Sequence, residues 1–545
     1  MQFVPNGPDI PNALLHAHEE GRVVFFCGAG ISYPAGLPLF EGLVDEIYKS
    51  IGTVQSKTEA EAYKRWQYDT TLDLLERRVP GQRLTVRKAL AESLKPNLEK
   101  EGATTTHTAL LDLARSRDGA LRLVTTNFDR IFNHLISHHK LSITEYNAPC
   151  LPIPKNSRWN GLVYLHGLLP TEIEEHALNQ LVITSGDFGL AYLTERWAAR
   201  FVSDLFQNFI VCFVGYRIND PVLRYLMDAL AADRRLGEFT PQAYAFGSYS
   251  TDEKAEAEYR ESQQEIEWEA KGVIPILYDG ANRHSALHRT LDLWAQTYRD
   301  GIQGKERIVT DYALIKPSAS TQQDDYVRRM IWALSDRSGK PAKRFAEFEP
   351  VPPLEWLEAF SENCFSHSDL SQFGILPSQK PDENLKFSLL HRPVHYSHAP
   401  WMMLTSNGAS GSNWDDVMVN LASWLMRHLN NPQLLLWLTE RGGRLQNQLI
   451  RMVEWQLDRF AKLEREGNTT DELDRIRASS PDAIPSPPMR ILWRLLIASR
   501  VKQLGQYHDF GFYSWKEKFD QDSLTTTLRF ELRELLAPKI QLKIP

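Results

Sequence analysis

Four short segments of this 545-residue chain hold residue types suited to chemistry on a nucleotide rather than to core packing: Gly28-Ala29-Gly30-Ile31-Ser32, Thr126-Asn127-Phe128-Asp129, His166-Gly167, and Gly215-Tyr216 with Asp220 beyond it. Each follows an apolar run. A glycine-rich turn at a strand end lets backbone approach a pyrophosphate, and free N–H groups there face the anion. Ser32 adds a hydroxyl donor. Asn127 is expected to project from its strand end toward a ligand crevice. Asp129 fits either that crevice or an Asx turn opening the next helix. A strand-end histidine with a near-neutral pKa, such as His166, is a general-base candidate. Gly215 and the helix start carrying Asp220 favour a phosphate or ribose oxygen. The first segment lacks the third glycine of the G-x-G-x-x-G fingerprint, which argues against an ordinary dehydrogenase.

These residues need elements that end at one edge. Residues 22–26, 121–125, 162–165, 209–214, 243–246 and 273–277 read as continuous apolar strands separated by helical patterns. That is an α/β arrangement, a doubly wound parallel Rossmann-like sheet covered on both faces. Between residues 40 and 114 the pattern is helical, an insertion between the first two strands. Residues 187–206 read as one helix, and Asn219 and Pro221 open another. A polar stretch at 315–325 breaks the pattern.

Beyond it Trp332, Trp356, Trp401, Trp414, Trp424, Trp437, Trp455, Trp493 and Trp515 punctuate helical segments, read as core or oligomer-interface residues. A stripe of Leu445, Leu449, Val453, Leu457 and Phe460 marks one helix, residues 491–501 are apolar nearly all round, and 475–488 reads as a loop. The expected division is a catalytic domain at 15–305, a linker at 306–325 and a mostly α-helical assembly or partner-binding domain at 326–545.

Composition narrows the classes. The chain is 42% hydrophobic and 24% charged, with formal net charge -7 and a pI near 6.2. No global basic field advertises nucleic acid, and local contact stays open. The four cysteines, Cys27, Cys150, Cys212 and Cys364, form no C-x-x-C pair, so no zinc ribbon is expected. Cys27 and Cys212 read as core residues. His391, His395 and His398 have metal-like spacing, but no cysteine or acidic cluster accompanies them, and no metal is expected. A Walker A sequence is absent. With no secretory leader pattern and no apolar run long enough for a membrane span, a cytoplasmic location is expected.

Taken in order, Gly28–Ser32, Gly36-Leu37-Pro38-Leu39-Phe40, the TNFD segment, His166-Gly167 and Gly215-Tyr216…Asp220 resemble the sirtuin fold family over about residues 15–300. More narrowly they resemble the sirtuin-like domains of bacterial anti-phage systems. The resemblance implies NAD as substrate and cleavage of its nicotinamide–ribose bond. It implies that Gly28, Ala29, Gly30 and Ser32 hold the pyrophosphate and nearby ribose. Asn127 would position the attacking water, Asp129 support the nicotinamide end, and His166 act as general base. Phe40 would cover the nicotinamide pocket, and Gly215, Tyr216 and Asp220 line the adenosine side.

Two departures bear on the reaction. The interval 168–207 holds no cysteine, so the zinc module of the protein deacylases is missing. Glu41 follows Phe40 where those enzymes carry arginine. Both favour an NAD glycohydrolase; a deacylase or ADP-ribosyltransferase, and a non-catalytic nucleotide-sensing scaffold, are the alternatives. The helical half is similar to the extension of sirtuin-like subunits paired with a HerA-type hexameric ATPase. That implies a homo-oligomeric, NAD-depleting defence effector; pairing with a short Argonaute is another possibility.

Overall fold

The computed structural model of the chain describes residues 1–155, 158–218, 225–227, 241–249, 254–336, 338–360, 405–406, 415–441, 444–445, 447–466, 470–505, 528 and 530–532. It divides into two compact units, Met1–Arg299 and Asp300–Pro545. The first is a seven-stranded sheet, every pair parallel, in the order β3-β4-β2-β1-β5-β6-β7. The strands are β1 (Val23–Cys27), β2 (Arg122–Thr125), β3 (Glu145–Asn147), β4 (Gly161–Tyr164), β5 (Ile210–Val214), β6 (Ala243–Tyr249) and β7 (Val273–Asp279). The six expected strands are all present. β3 escapes the sequence pattern because it is three residues long, with Glu145 and Asn147 exposed.

β1, β2 and β4 are buried along their whole length, as continuous apolar strands require when both faces are covered. One face packs Val24, Phe26, Val124, Val163 and Phe213 against Phe201, Val202 and Leu205 of the helix Trp197–Asn208. On β1, Phe25 lies edge-on to Trp294 at 5.5 Å. The chain runs from β1 outward to β2, then crosses back to build the β5–β7 half, so the sheet's topological switch point lies between β1 and β5. In open α/β sheets the ligand crevice sits outside the carboxyl ends of the strands at such a point.

Register brings the four segments together. Cys27 pairs with Thr125 and with Val214, and Thr125 pairs with Tyr164. The residues that follow, Gly28, Thr126, Leu165 and Gly215, therefore emerge side by side. Between β1 and β2 lie α1 (Phe40–Ile51), α2 (Lys57–Lys64), α3 (Tyr68–Arg78), α4 (Gln82–Ser93) and α5 (Thr105–Leu113). They are the helical insertion, with Leu43, Val44, Ile47, Leu72, Leu75, Val86 and Leu90 in a core of their own.

Three expectations about the first unit change. Residues 187–206 are not one helix. Ser185–Phe188 passes into a π-helical turn at Gly189–Thr194, and Arg196 adopts a left-handed φ of 61° before Trp197–Asn208 begins. The second helix expected after Gly215 has its opening residues, Asn219, Asp220 and Pro221, outside the described residues. Cys27 and Cys212 are buried strand residues whose thiols burial pushes up in pKa, as a core role requires.

The second unit is helical. Helices Tyr326–Leu334, Lys340–Ala346, Asp416–Leu425, Asn447–Glu466 and Pro487–Gly505 enclose one apolar core. Buried tryptophans anchor it with their indole N–H groups satisfied: Trp356 donates to the Ala313 carbonyl at 3.0 Å, Trp424 to Pro352 at 3.0 Å and Trp493 to Leu429 at 2.7 Å. Trp455, by contrast, is 61% exposed. The stretch expected to be a linker begins inside the helix Ile302–Tyr312, whose Val309 is in this core. Residues 475–479 belong to the helix Thr470–Ser479 rather than to a loop. Ile491 is exposed, so the helix Pro487–Gly505, apolar nearly all round in sequence, is not buried on every side. Trp401, Trp414 and Trp515 and the three spaced histidines lie outside the described residues.

The close approach at the switch point has a measurable cost of disturbance. A Cβ on Gly30 would lie 2.8 Å from the Gly215 Cα, whereas one on Gly189 meets nothing within 4 Å. Gly30→Ala is expected to destabilise the first unit by about 1–3 kcal/mol. Gly189→Ala should be neutral or stabilising by up to about 1 kcal/mol, both read from urea denaturation midpoints.

Candidate active site

Backbone at the switch point is locked before any side chain is considered. The Gly28 amide donates to the Val214 carbonyl at 2.9 Å and the Gly30 amide to the Gly215 carbonyl at 2.9 Å. Gly215 takes φ +79°, and a Cβ on Gly28 would meet the Tyr216 ring at 2.8 Å. The missing side chains at Gly28 and Gly30 are thus already used by the neighbouring loop. Tyr216 turns inward: its hydroxyl lies 2.6 Å from Thr126 Oγ1 and donates to the Cys27 carbonyl at 3.1 Å. It braces the two loops and is not in the pocket wall.

From this base the segment Ala29–Ala35 forms a 3₁₀ turn carrying Ser32. The Ser32 hydroxyl donates to Asp129 Oδ2 at 2.7 Å and accepts from Asn127 Nδ2 at 3.0 Å. Asn127 Nδ2 also donates to the Gly28 carbonyl at 3.2 Å. With both amide hydrogens engaged, the carboxamide oxygen of Asn127 is the group able to accept a hydrogen from a water or hydroxyl. Asp129 has two roles. Its Oδ1 accepts from the Ile131 amide at 3.1 Å, the Asx turn expected at this helix start, while Oδ2 holds Ser32. Burial raises its pKa, against the lowering effect of those hydrogen bonds.

Ala29, Ser32, Phe40, Thr126, Asn127, Asp129 and His166 line one cavity, about 600 Å³ counted to its open mouth. Its remaining wall is apolar: Leu37, Pro38, Leu43, Leu94, Phe128, Val182 and Phe188. Six of the expected site residues, Ala29, Ser32, Phe40, Asn127, Asp129 and His166, therefore meet in one pocket, with Thr126 beside them. Gly28, Gly30, Gly215 and Tyr216 form the loop contacts beside it, and Asp220 lies outside the described residues. Small ligand sites combine an apolar lining with a few placed polar groups in this way.

His166 departs from its expected electrostatics. It is 1% exposed, and burial lowers its pKa to about 3, so the imidazole is neutral throughout the physiological range rather than poised near pH 7. Its Nε2 lies 2.9 Å from the Tyr192 hydroxyl on the π-helical turn, and Phe188 meets its ring edge-on at 5.1 Å. Phe188 in turn stacks on Tyr225 at 4.6 Å. A ring nitrogen fixed by one partner decides the state of the other nitrogen. If Nε2 carries the hydrogen and donates to Tyr192, Nδ1 is left as the acceptor.

His107 is a functional neighbour that sequence reading missed. It is fully buried on α5, its Nε2 lies 3.3 Å from Ser32 Oγ, and Nδ1 has no partner among the described residues. A single histidine in a helical insertion gives no signal of this. Tyr192 was hidden in the same way, because it reads as one member of an apolar stripe.

The wall segment that carries Val182 and Phe188 is held by a buried guanidinium. Arg87 of α4, with no exposed surface, donates to Glu76 Oε1 at 2.9 Å, to Asp187 Oδ2 at 2.5 Å and to the Leu178 and Leu181 carbonyls at 2.7 Å each. Burial raises Asp187, but Arg87 and the Thr184 and Ile183 amides more than offset it and its pKa is lowered. Glu76 is raised, burial outweighing Arg87 there. This clamp ties the helical insertion to the segment after β4 that carries Phe188.

Residues 121–276, from the start of β2 into β7, match the family model described as SIR2-like domain. An uncharacterized protein y4cA of Sinorhizobium fredii (strain NBRC 101917 / NGR234) is 33% identical over 339 residues, covering 61% of this chain and 27% of its own length. The chain thus spans about a quarter of the length of the curated relative it matches. Residues 121–276 are thus similar to SIR2-like domains, a family of NAD-dependent enzymes. No described helix is long and apolar enough to cross a membrane. No group of three histidine, cysteine or acidic side chains is placed to hold a metal among the described residues.

Buried neutral imidazoles make stability depend on pH. His166 and His107 are lowered to about 3 and His18 and His288 to about 4, each chiefly by burial. In the unfolded chain all four titrate near 6.5, so between pH 6.5 and about 4 the unfolded state binds more protons and stability falls with acidification. The expected slope is up to about 1.4 kcal/mol per pH unit for each imidazole, flat above pH 7. Denaturant midpoints from pH 8 to pH 4.5 check this, and His18→Gln, which cannot titrate, should flatten the slope.

Proposed function

We propose that this chain is an NAD glycohydrolase that breaks the nicotinamide–ribose bond to give nicotinamide and ADP-ribose. One observation carries the reading: strand register gathers Ser32, Asn127, Asp129 and His166 around a single cavity with an otherwise apolar wall. The aromatic and aliphatic side chains suit a flat nicotinamide ring, with Phe40 and Phe188 among them. The pyrophosphate is assigned to the Ala29–Ala35 turn beside Gly215, by close backbone approach rather than by the Gly28 and Gly30 amides, which are bonded to the Val214 and Gly215 carbonyls.

The chemistry asks little of an acid. The bonding pair of the C–N bond returns to the pyridinium nitrogen and neutralises it, so the leaving group needs no proton. The ribose C1′ becomes an oxocarbenium centre, and water adds there. Asn127, with its amide hydrogens held by Ser32 and Gly28, offers its carbonyl oxygen to orient that water or a ribose hydroxyl. A base with a pKa near 3 gains nothing by deprotonating free water. The attacking water becomes strongly acidic as its bond to C1′ forms, and then the neutral His166 accepts the proton. The dianionic pyrophosphate in the same site raises the imidazole's basicity further. Tyr192 sets which imidazole nitrogen is free to do so. Orientation of this kind contributes on the order of 5 kcal/mol and a general base roughly 10²–10⁴-fold.

In the wider proposal the chain is a homo-oligomeric, cytoplasmic effector that depletes NAD in anti-phage defence, its helical unit serving assembly on a HerA-type hexameric ATPase. What supports this is the likeness of the chain's motif order and helical half to such subunits.

The test is turnover of an etheno-NAD analogue by the full chain, alone and with a HerA-type ATPase. His166→Ala and Asn127→Ala are each expected to lose at least about 10²-fold in kcat. Tyr192→Phe should lose about tenfold with unchanged KM and a changed pH profile, because it frees the imidazole tautomer without emptying the pocket. Wild-type rates in the first two variants would overturn the assignment. Release of O-acyl-ADP-ribose when an acyl-lysine peptide is added would make the enzyme a deacylase, and tight binding with no turnover a sensor.

A further inference from the structure

A second pocket lies on the other side of the turn that carries Ser32. Ala29 and Ser32 line the candidate active site, whereas the next residues of the same turn, Tyr33 and Pro34, line an open pocket of about 820 Å³. The two pockets share no lining residue. Three cations from two separate elements reach the second one: Lys100 in the loop before α5, and Arg283 and Arg289 after β7. Among the described residues none of the three has an ion-pair partner. Ser285, His288 and Arg289 stand at helical spacings of three and four on one face of the helix and add a hydroxyl, an imidazole and a guanidinium to the same wall.

Two observations mark this wall as built for a ligand. His288 places Nδ1 2.8 Å from Thr106 Oγ1, while its Nε2 is buried with no partner among the described residues. Buried polar nitrogens are nearly always satisfied, so an orphan beside a cationic pocket asks for one. With the Thr106 hydroxyl donating to Nδ1, Nε2 carries a hydrogen and is a donor. Asn282, Arg283 and His284 also hold three successive left-handed φ values of 51°, 58° and 61°. Non-glycine residues enter that region at about 1–2 kcal/mol each. Here the turn brings Arg283 to the pocket, with His284 Nδ1 3.1 Å from the Tyr278 hydroxyl.

We infer that this pocket binds a nucleoside phosphate, at a site separate from the dinucleotide cavity. Arginine forks and a lysine match phosphate oxygens, and the His288 N–H and Ser285 hydroxyl add neutral donors. Two carboxylates, Glu101 and Asp292, share the lining. They repel a bare polyphosphate and accept hydrogens from ribose hydroxyls or a base amino group, so the ligand class is a nucleotide. The pocket reaches the catalytic groups by a short polar route. Thr106 holds His288, and its neighbour His107 holds Ser32, which holds Asp129.

The test uses the full chain with a fluorescent ADP analogue, the dinucleotide site being filled with a non-hydrolysable carba-NAD. Saturable ADP binding is expected to persist under carba-NAD. It should weaken by at least about tenfold in Arg283→Gln/Arg289→Gln. Lys100→Gln, on a different element, should weaken it by about threefold or more. KM for NAD should stay within about twofold and Tm within about 2 °C of wild type. Displacement of ADP by carba-NAD, equal binding by the double variant, or binding of tripolyphosphate in preference to ADP would each overturn the inference. Because binding is read directly, an absence of NAD turnover would count against the proposed reaction and leave this result decisive.

Discussion

Everything at the site depends on how closely two loops meet at the ends of β1 and β5. The Gly30 amide is bonded to the Gly215 carbonyl, and the backbones are so near that a methyl group on either side would collide. This contact fixes where the 3₁₀ turn begins and hence where Ser32 points. Parallel pairing then does the rest, since β1, β2 and β4 end in register and deliver Asn127 and His166 at the same level. A shift of one residue in any pairing would send those side chains to the opposite face.

The polar groups gathered there are buried, and each is held by another. Ser32 stands at the centre, accepting from Asn127 and donating to Asp129, with His107 behind it. Such a network is costly if half made and specific if complete. His166 is treated differently: its contact is a tyrosine hydroxyl, and its surroundings are aromatic. Desolvation of that ring follows from the same packing that shapes the pocket's apolar wall, so geometry and basicity cannot be tuned separately here.

Much of this was legible in the sequence. Continuous apolar strands announced a parallel sheet, and the order of the glycine, asparagine and histidine segments announced a shared edge. Asp129's ambiguity between helix start and site was real, because it serves both. What could not be read has physical causes. β3 is too short to show a period. The π-helical turn and the left-handed Arg196 interrupt a stretch whose apolar spacing looks like one helix. His107 and Tyr192 are brought to the site by packing of distant segments, which no local pattern encodes. The near-neutral histidine was an error of environment: residue type sets the starting pKa, and burial decides the outcome. In the helical unit, buried tryptophans were foreseeable from their number, but the pattern did not say which, such as Trp455, would lie on the surface.

Arg87 has a further consequence. One guanidinium grips an acid on α3, an acid on the segment after β4 and two backbone carbonyls beside it. Separating these pieces would strand unpaired charges in an apolar interior, which is far costlier than moving them together. Any breathing of the cavity therefore lifts insertion and post-β4 segment as a single slab. Amide hydrogens at 178–188 and along α4 would then exchange at a common rate, making access to the chamber an all-or-none event rather than the fraying of a loop.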